Sequence, residues 1–252
     1  MESLRDKVVV VTGAARGQGA AIAAALAARG ARVVGLDVSE PGQPPRAGLV
    51  HRRLDVTDAA GWAALAAWLR RAHGRVDGLV NNAGTTLRDR LPEVDPVGFA
   101  RVYAVNVTGP LLGTQSLLPL MGEGASIVNI GSVAAVTGHY PVAYTASKWA
   151  LRGLSAAASL ELGPRGIRVN TVHPGFVETP MTASAPETMR RASLAQTPLG
   201  RTGTGADIAA AVAFLLSDES SFVTGAEIAV DGGYSGHGGA KAVSDALRGA
   251  AL

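Results

Sequence analysis

Tyr144 and Lys148 stand four residues apart at the head of an alanine-rich run that predicts a helix. On a helix, residues with this spacing project from one face. They can form an amphipathic pair, with the tyrosine packed and the lysine reaching toward solvent. They can also form a proton-transfer pair, because a nearby ammonium lowers the pKa of a phenol from its usual value of about 10. An isolated pair favours packing, so the interpretation depends on the surrounding motifs.

Two polar residues upstream could join such chemistry. Residues 126–132 predict a buried strand that ends at Ser132. Open α/β sheets bind ligands at the carboxyl ends of their strands, where this hydroxyl could hydrogen-bond a substrate oxygen beside Tyr144; a cap or turn role is the alternative. Asn106 lies in a predicted helix over about 94–121, where its amide could disturb the backbone hydrogen bonding. A buried amide that satisfies backbone groups is the other interpretation.

A glycine-rich turn, TGAARGQG (12–19), lies between the first predicted strand and the first predicted helix. Glycines let the backbone approach a pyrophosphate, and the helix N-terminus adds N–H donors and a positive dipole. A tight strand–helix turn without a ligand is the alternative. Asp37 ends the second predicted strand, where a carboxylate accepts hydrogen bonds from ribose hydroxyls and repels a 2′-phosphate. Together these positions predict a dinucleotide site.

The choice between NAD and NADP depends on charged residues near this turn. Arg16 stands beside the glycines, and its guanidinium could hold a 2′-phosphate. The residue after Asp37 is Val38 rather than a basic residue, so we predict NAD. Asp55 and Val56 end the third predicted strand and could flank the adenine, although Asp55 could instead cap the following helix.

Short β-branched runs alternate with alanine- and leucine-rich stretches along the chain. The predicted strands are 7–13, 31–38, 49–56, 76–84, 126–132, 167–175 and 227–233. Continuous apolar strands separated by helices predict an α/β fold with a parallel sheet covered on both faces. We predict one Rossmann-type domain over 1–252, with a doubly wound parallel sheet of about seven strands. Residues 176–206 would form a mobile lid over the substrate, and 234–252 form a frayed tail or a subunit contact.

Composition excludes several classes of protein. Hydrophobic residues make up 47% and charged residues 17% of the 252 residues, which permits a sizeable core and argues against disorder. The chain has no cysteine, which excludes disulfides and thiolate chemistry, and its five scattered histidines lead us to predict no metal site. Scattered arginines and few aromatics argue against nucleic-acid binding. No apolar run reaches the roughly 20 residues of a membrane span, and we expect a soluble, cytoplasmic protein without a leader.

Six motifs occur in the order and approximate spacing of the short-chain dehydrogenase/reductase family. They are TGAARGQG, NNAG (81–84), Asn106 in VNVTG, Ser132 in IVNIGS, YTASK and HPG (173–175). The chain resembles this family over about residues 5–235, and looks closest to the bacterial NAD-dependent branch that includes 3α/20β-hydroxysteroid dehydrogenase. The resemblance implies hydride transfer between NAD(H) and a secondary alcohol or ketone, with steroids and other bulky hydrophobic rings among the candidate substrates.

The resemblance also implies roles for the four candidate catalytic residues. Tyr144 would exchange a proton with the substrate oxygen, and Ser132 would hydrogen-bond that oxygen. Lys148 would lower the pKa of the tyrosine and bind the nicotinamide ribose, and Asn106 would hold a water that links the lysine to solvent. The predicted cofactor contacts are Gly13, Arg16, Gln18, Gly19, Asp37, Asp55, Val56, Asn82, Ala83, Gly84, Tyr144, Lys148, Pro174, Val177 and Thr179. His139 and His173 receive no role.

Two residues depart from the family pattern: Gly131 stands where a further serine is common, and Gln18 where an aliphatic residue is common. The helix after Lys148 is small and apolar almost all round, which predicts a homotetramer. The rival enzyme is an NADP-dependent 3-oxoacyl or small-ketone reductase. The rival of another class is a catalytically silent nucleotide-sensing protein, which would have no need of Ser132, Tyr144 and Lys148 together.

Overall fold

Strands form where β-branched residues run together, and a computed structural model places them in one sheet. The structure describes residues 4–42 and 46–250. The strands are β1 (Val8–Thr12), β2 (Arg32–Asp37), β3 (Leu49–Arg53), β4 (Gly78–Asn81), β5 (Ser126–Ile130), β6 (Arg168–Pro174) and β7 (Glu227–Val230). They pair in the order β3-β2-β1-β4-β5-β6-β7, and every pair is parallel. The predicted doubly wound parallel sheet is confirmed.

Helices lie in most connections between these strands and after the last strand; the described part of the β2–β3 connection contains none. They are α1 (Gly17–Ala27), α2 (Ala59–Ala72), α3 (Pro96–Tyr103), α4 (Gly109–Leu117), α5 (Val142–Leu162), α6 (Pro180–Ala183), α7 (Glu187–Ala195), α8 (Gly205–Leu216) and α9 (Ala240–Ala250). Asp58 caps α2 by accepting a hydrogen bond from Ala60 N. The helix α5 starts at Val142, so Tyr144 and Lys148 lie in its first two turns.

The core has two layers because successive strand residues point to opposite faces of the sheet. Val9 and Val11 pack on the face covered by α1 and α8. Val8 and Val10 pack on the other face, where Trp62 of α2 is fully buried. The helices therefore hold both faces of the sheet, and ligands can reach only its edges.

The predicted helical region over about 94–121 is helical from Pro96 to Leu120, but it is not α-helical throughout. A π-helical segment, Ala104–Thr108, separates α3 from α4, and the chain ends this region in a 3₁₀ turn, Leu118–Leu120. Asn106 lies in the π-helical segment and is fully buried. The helical hydrogen bonding is thus irregular at Asn106, while the disturbance of the backbone by its amide stays a prediction.

The predicted lid contains α6 and α7, and Arg88 ties it to the body of the protein. The Arg88 guanidinium donates to Met181 O at 2.8 Å and to Ser184 Oγ at 2.9 Å. The predicted tail contains α9, and its last residues, 251–252, lie outside the described residues. No helix in the described part of the chain is long and apolar enough to cross a bilayer.

Candidate active site

A cleft of about 770 Å³ opens at the carboxyl edge of the sheet, beside the point where the strand order reverses between β1 and β4. Open α/β sheets bind ligands at this position. Every residue predicted from the sequence to form the site, except Asn106, lines this cleft. Asn106 is fully buried beneath Gly84, which lines the cleft. A Cβ atom placed on Gly84 would be 3.5 Å from Asn106 Oδ1 and 3.8 Å from Lys148 Nζ.

The glycine-rich turn is packed so closely that two of its positions admit no side chain. Gly13 has φ +66°, and a Cβ atom there would lie 2.9 Å from Ala83 Cα. A Cβ atom on Gly19 would lie 2.0 Å from Gly13 O. The amide of Asn82 donates to Thr12 O at 2.9 Å. Asn82 therefore joins the ends of β1 and β4.

The N-terminus of α1 faces the cleft, and the side chain of its N-cap residue does not cap it. Its N-cap residue, Arg16, makes no side-chain capping hydrogen bond, and the first turn contains no acidic residue. The N–H groups of this turn can therefore meet the oxygens of a pyrophosphate. The Gln18 amide donates to Asn82 Oδ1 at 3.3 Å, so it braces the turn.

The two carboxylates predicted to contact the adenosine lie at the ends of β2 and β3. Asp37 accepts hydrogen bonds from Ala15 N and Ser39 N, both at 3.0 Å. Asp55 accepts from the backbone and the hydroxyl of Thr57, and these bonds hold the pKa of Asp55 below its usual value. The alternative of Asp55 as the cap of α2 is wrong, since Asp58 provides that cap.

Ser132, Tyr144 and Lys148 meet at the end of β5. Ser132 Oγ accepts a hydrogen bond from Ala134 N at 3.1 Å, which fixes the start of a 3₁₀ turn. Lys148 is 4% exposed, and its Nζ donates to Ile130 O at 2.7 Å. The same Nζ lies 5.7 Å from the centre of the Tyr144 ring. The three side chains line one wall of the cleft.

Burial shifts the proton affinities of the Tyr144–Lys148 pair. Desolvation raises the pKa of Tyr144, and its hydrogen bond with Ser132 partly opposes that rise. Desolvation also lowers the pKa of Lys148 to about 8. In the protein alone the pKa of Tyr144 therefore lies above its usual value, because burial outweighs the hydrogen bond with Ser132; the lowering expected from the lysine and the oxidised cofactor stays a prediction.

Asn106 uses its whole amide to hold neighbouring segments together. Its Oδ1 accepts from Thr85 N at 2.9 Å, and its Nδ2 donates to Thr85 O at 3.0 Å and to Ser147 Oγ at 2.9 Å. Ser147 Oγ in turn donates to Tyr144 O at 2.7 Å. The amide therefore connects the segment after β4 to α5, which carries the tyrosine and the lysine.

Comparison with known proteins agrees with this geometry. A family model described as enoyl-(acyl carrier protein) reductase matches residues 13–235. The chain is 39% identical to trans-4-hydroxycyclohexanecarboxylate dehydrogenase of Sinomonas cyclohexanicum, over 92% of this chain and 94% of that one. It is 42% identical to 3-alpha-(or 20-beta)-hydroxysteroid dehydrogenase of Mycobacterium tuberculosis, over 91% and 90%. The ligand-free structure of Thermoplasma acidophilum aldohexose dehydrogenase superposes with a TM-score of 0.85 at 33% identity, covering 93% of this chain and 96% of that one.

The chain belongs to the short-chain dehydrogenase/reductase family. It is an oxidoreductase that transfers hydride with a nicotinamide cofactor, and the nucleotide-sensing alternative is set aside. The residues of the cleft fit such a cofactor. Along it lie the uncapped N-terminus of α1, the closely packed Gly13 and Gly19, and the Asp37 carboxylate. Among the described residues, no group of three or more His, Asp or Glu side chains could hold a metal ion.

Two residues of this short-chain dehydrogenase/reductase site escaped the sequence prediction. Thr85 pairs with the Asn106 amide through both backbone groups. His173, the histidine of the HPG motif, lies against the backbone of Ser132. His173 precedes the proline of the HPG motif, and this position was the signal in the sequence that could have pointed to it. The motif does not reveal the partner, because Ser132 lies 41 residues away along the chain.

Proposed function

We propose that the protein is an NAD(H)-dependent dehydrogenase that interconverts a secondary alcohol on a hydrophobic ring system and the matching ketone. The observation that carries the proposal is the meeting of Ser132, Tyr144 and Lys148 on the wall of a cleft whose other end holds Asp37. Proton transfer and cofactor selection therefore depend on opposite ends of one cavity.

The tyrosine is proposed as the proton carrier. In ketone reduction the Tyr144 hydroxyl gives its proton to the developing alkoxide, and the Ser132 hydroxyl hydrogen-bonds the same oxygen. A bound nicotinamide cofactor would supply or accept the hydride, and its oxidised form would carry a positive charge that favours the ionised tyrosine. Lys148 keeps two N–H groups after its bond to Ile130 O, and these are proposed to bind ribose hydroxyls.

The preference for NAD is supported by the charge at the end of β2. The Asp37 carboxylate lines the cleft and would repel a 2′-phosphate. Arg16 lines the same cleft and favours the rival NADP-dependent reductase. We place more weight on Asp37, because Val38 follows it where a second cation would be needed.

Two observations support a substrate with a hydrophobic ring: the substrates named for the relatives, and the methionines of the predicted lid. The two dehydrogenases named above act on a hydroxycyclohexanecarboxylate and on hydroxysteroids. Met181 of the predicted lid lines the cleft and is 43% exposed, and Met189 accepts a hydrogen bond from the Tyr140 hydroxyl at 3.7 Å. Flexible thioether side chains suit a bulky apolar ligand.

The proposal is tested by following nicotinamide absorbance with each reduced cofactor and three ketones: 4-oxocyclohexanecarboxylate, a 3-ketosteroid and an acetoacetyl thioester. We expect turnover of a ring ketone with NADH at a higher kcat/KM than with NADPH. Preferential reduction of the thioester with NADPH would replace the proposal by the 3-oxoacyl reductase.

A homotetramer is proposed from the outer face of α5. Trp149 is 45% exposed and Leu160 is 82% exposed, although both lie on a helix that also packs on the sheet. We expect the tetramer mass in sedimentation, and a smaller species for Leu160→Lys. A wild-type monomer would contradict this assembly. The cytoplasmic location stays a prediction.

A further inference from the structure

His173 is a buried titratable residue that has no role in the proposed proton transfer. It lies near the end of β6 and is 1% exposed. Its ring stands directly behind Ser132, with Nδ1 at 3.2 Å from Ser132 N and 3.0 Å from Ser132 O. One ring nitrogen therefore faces both backbone groups of the serine that lines the cleft.

The other ring nitrogen faces a carboxylate. His173 Nε2 lies 3.3 Å from Glu227 Oε2, outside good hydrogen-bond direction, and it is the buried side-chain polar atom without a hydrogen-bond partner among the described residues. Glu227 is held in turn by Arg152 of α5, whose Nε is 2.7 Å from Oε1. A row of three charged or titratable groups thus runs from the sheet to the helix that carries Tyr144 and Lys148.

The Ser132 N–H decides which ring nitrogen carries the proton. A backbone N–H only donates, and this one points at Nδ1 across 3.2 Å, so Nδ1 of the neutral imidazole accepts it and the proton lies on Nε2, on the side of Glu227. The 3.0 Å approach of Nδ1 to Ser132 O is then a contact without a hydrogen bond. Desolvation lowers the pKa of His173, against smaller opposing effects of the Ser132 backbone and Glu227, and Arg152 lowers it further. The histidine is therefore neutral at neutral pH.

The ring also explains why Gly131 departs from the family pattern. A Cβ atom on Gly131 would lie 2.5 Å from His173 Nδ1 and 2.8 Å from Cε1. The imidazole occupies the space that a side chain at 131 needs, so a serine there and the ring in its present place exclude each other. The absence of a side chain at 131 lets the ring reach the Ser132 backbone.

We propose that His173 is a positioning residue: its Nδ1 fixes the Ser132 backbone, and with it the hydroxyl beside Tyr144, while Glu227 faces the far side of the ring. The inference rests on the proposed function through the role of Ser132. The hydrogen bond itself does not depend on that role, and the two can be tested separately.

The test compares two replacements of similar size. In His173→Asn the side-chain oxygen takes the place of Nδ1 and can accept the Ser132 N–H, whereas His173→Leu offers no acceptor. We expect His173→Leu to lose about 10- to 100-fold in kcat, the equivalent of losing one hydrogen bond to a buried donor. His173→Asn should stay within about threefold of the wild type by the same reasoning, and NADH affinity, followed by fluorescence titration, should be equal in both.

Amide hydrogen exchange provides the readout that needs no turnover. The Ser132 amide should exchange faster in His173→Leu and stay protected in His173→Asn. Equal loss of kcat in both variants, or unchanged exchange at Ser132 in His173→Leu, would overturn the inference. If the wild type reduces no ketone, the proposed function fails, and exchange alone then decides whether His173 holds Ser132.

A second comparison uses Gly131. Gly131→Ser should reduce kcat sharply, because its side chain collides with the ring, and the same change in a His173→Ala background should cost much less. Additive losses in the double variant would show that the ring and the side chain at 131 do not compete, which contradicts the proposed geometry.

Discussion

Replacing Lys148 with methionine should stabilise the protein while abolishing turnover, because the charge of this lysine is costly where it lies. Lys148 is 4% exposed, and burial lowers its pKa from 10.5 to about 8. At about 1.4 kcal/mol for each tenfold change, the charged form is disfavoured by about 3 kcal/mol in the folded protein. Loss of the hydrogen bond to Ile130 O costs about 1 kcal/mol. The expected gain is therefore about 2 kcal/mol near neutral pH.

The pH dependence gives this prediction a distinctive sign. The folded-state pKa of Lys148 lies below its usual value, so the cost is fully present below about pH 8 and disappears as the pH rises toward 10.5. The advantage of Lys148→Met should be greatest near neutral pH and should fall across that window, ending as a deficit of about 1 kcal/mol when only the lost hydrogen bond remains. Other groups titrate in both proteins, so the difference between them isolates this lysine.

Urea unfolding of the cofactor-free proteins, repeated at several pH values, measures this difference. Near neutral pH the variant should also melt about 4–8 °C higher, given the size of the chain. Lys241→Met is the matched control, since Lys241 lies on α9 away from the cleft and pairs with Asp245, and it should give no gain. A Lys148→Met protein that is no more stable than the wild type, or whose advantage is the same at every pH, would refute the reasoning.

Three further changes test other parts of the site. Asp37→Asn should shift the kcat/KM ratio toward NADP by about tenfold, the equivalent of 1.4 kcal/mol, in steady-state assays with both cofactors; an unchanged ratio would remove Asp37 as the selector. Asn106→Leu should cost about 2–4 kcal/mol in urea unfolding, because it leaves the Thr85 N–H and C=O without their partner; wild-type stability would contradict that account. Gly19→Ala should abolish NADH binding in fluorescence titration, since its Cβ would collide with the turn backbone, whereas Gly153→Ala, with nothing within 4 Å, should bind normally. Normal binding by the Gly19 variant would contradict the close packing.

Features that depend on local pattern were predictable from the sequence. The strands follow from runs of β-branched residues, and the parallel sheet follows from their alternation with helices. The glycine turn and Asp37 are fixed by their order along the chain, and both line the cleft. The helical spacing of Tyr144 and Lys148 likewise places both on one wall.

Features that depend on packing between distant segments were not predictable. The Lys148 bond to Ile130 O and the rise in the Tyr144 pKa both arise from burial, which no single motif encodes. The pairing of Asn106 in the π-helical segment with Thr85 joins residues that lie 21 positions apart. The contact of His173 with Ser132 requires β5 and β6 to be neighbours in the sheet. That the His173 ring fills the space of a side chain at Gly131 follows only from the three-dimensional packing.

The central claim is that Tyr144 carries the proton, and Tyr144→Phe tests it most directly. The variant should bind NADH with wild-type affinity in fluorescence titration, because the phenylalanine ring keeps the lining of the cleft and only the hydroxyl is lost. Its kcat for the ring ketone that the wild type reduces best should fall by about 10²–10⁴, the usual contribution of general acid–base catalysis. Wild-type turnover by a Tyr144→Phe protein that binds NADH would contradict the account.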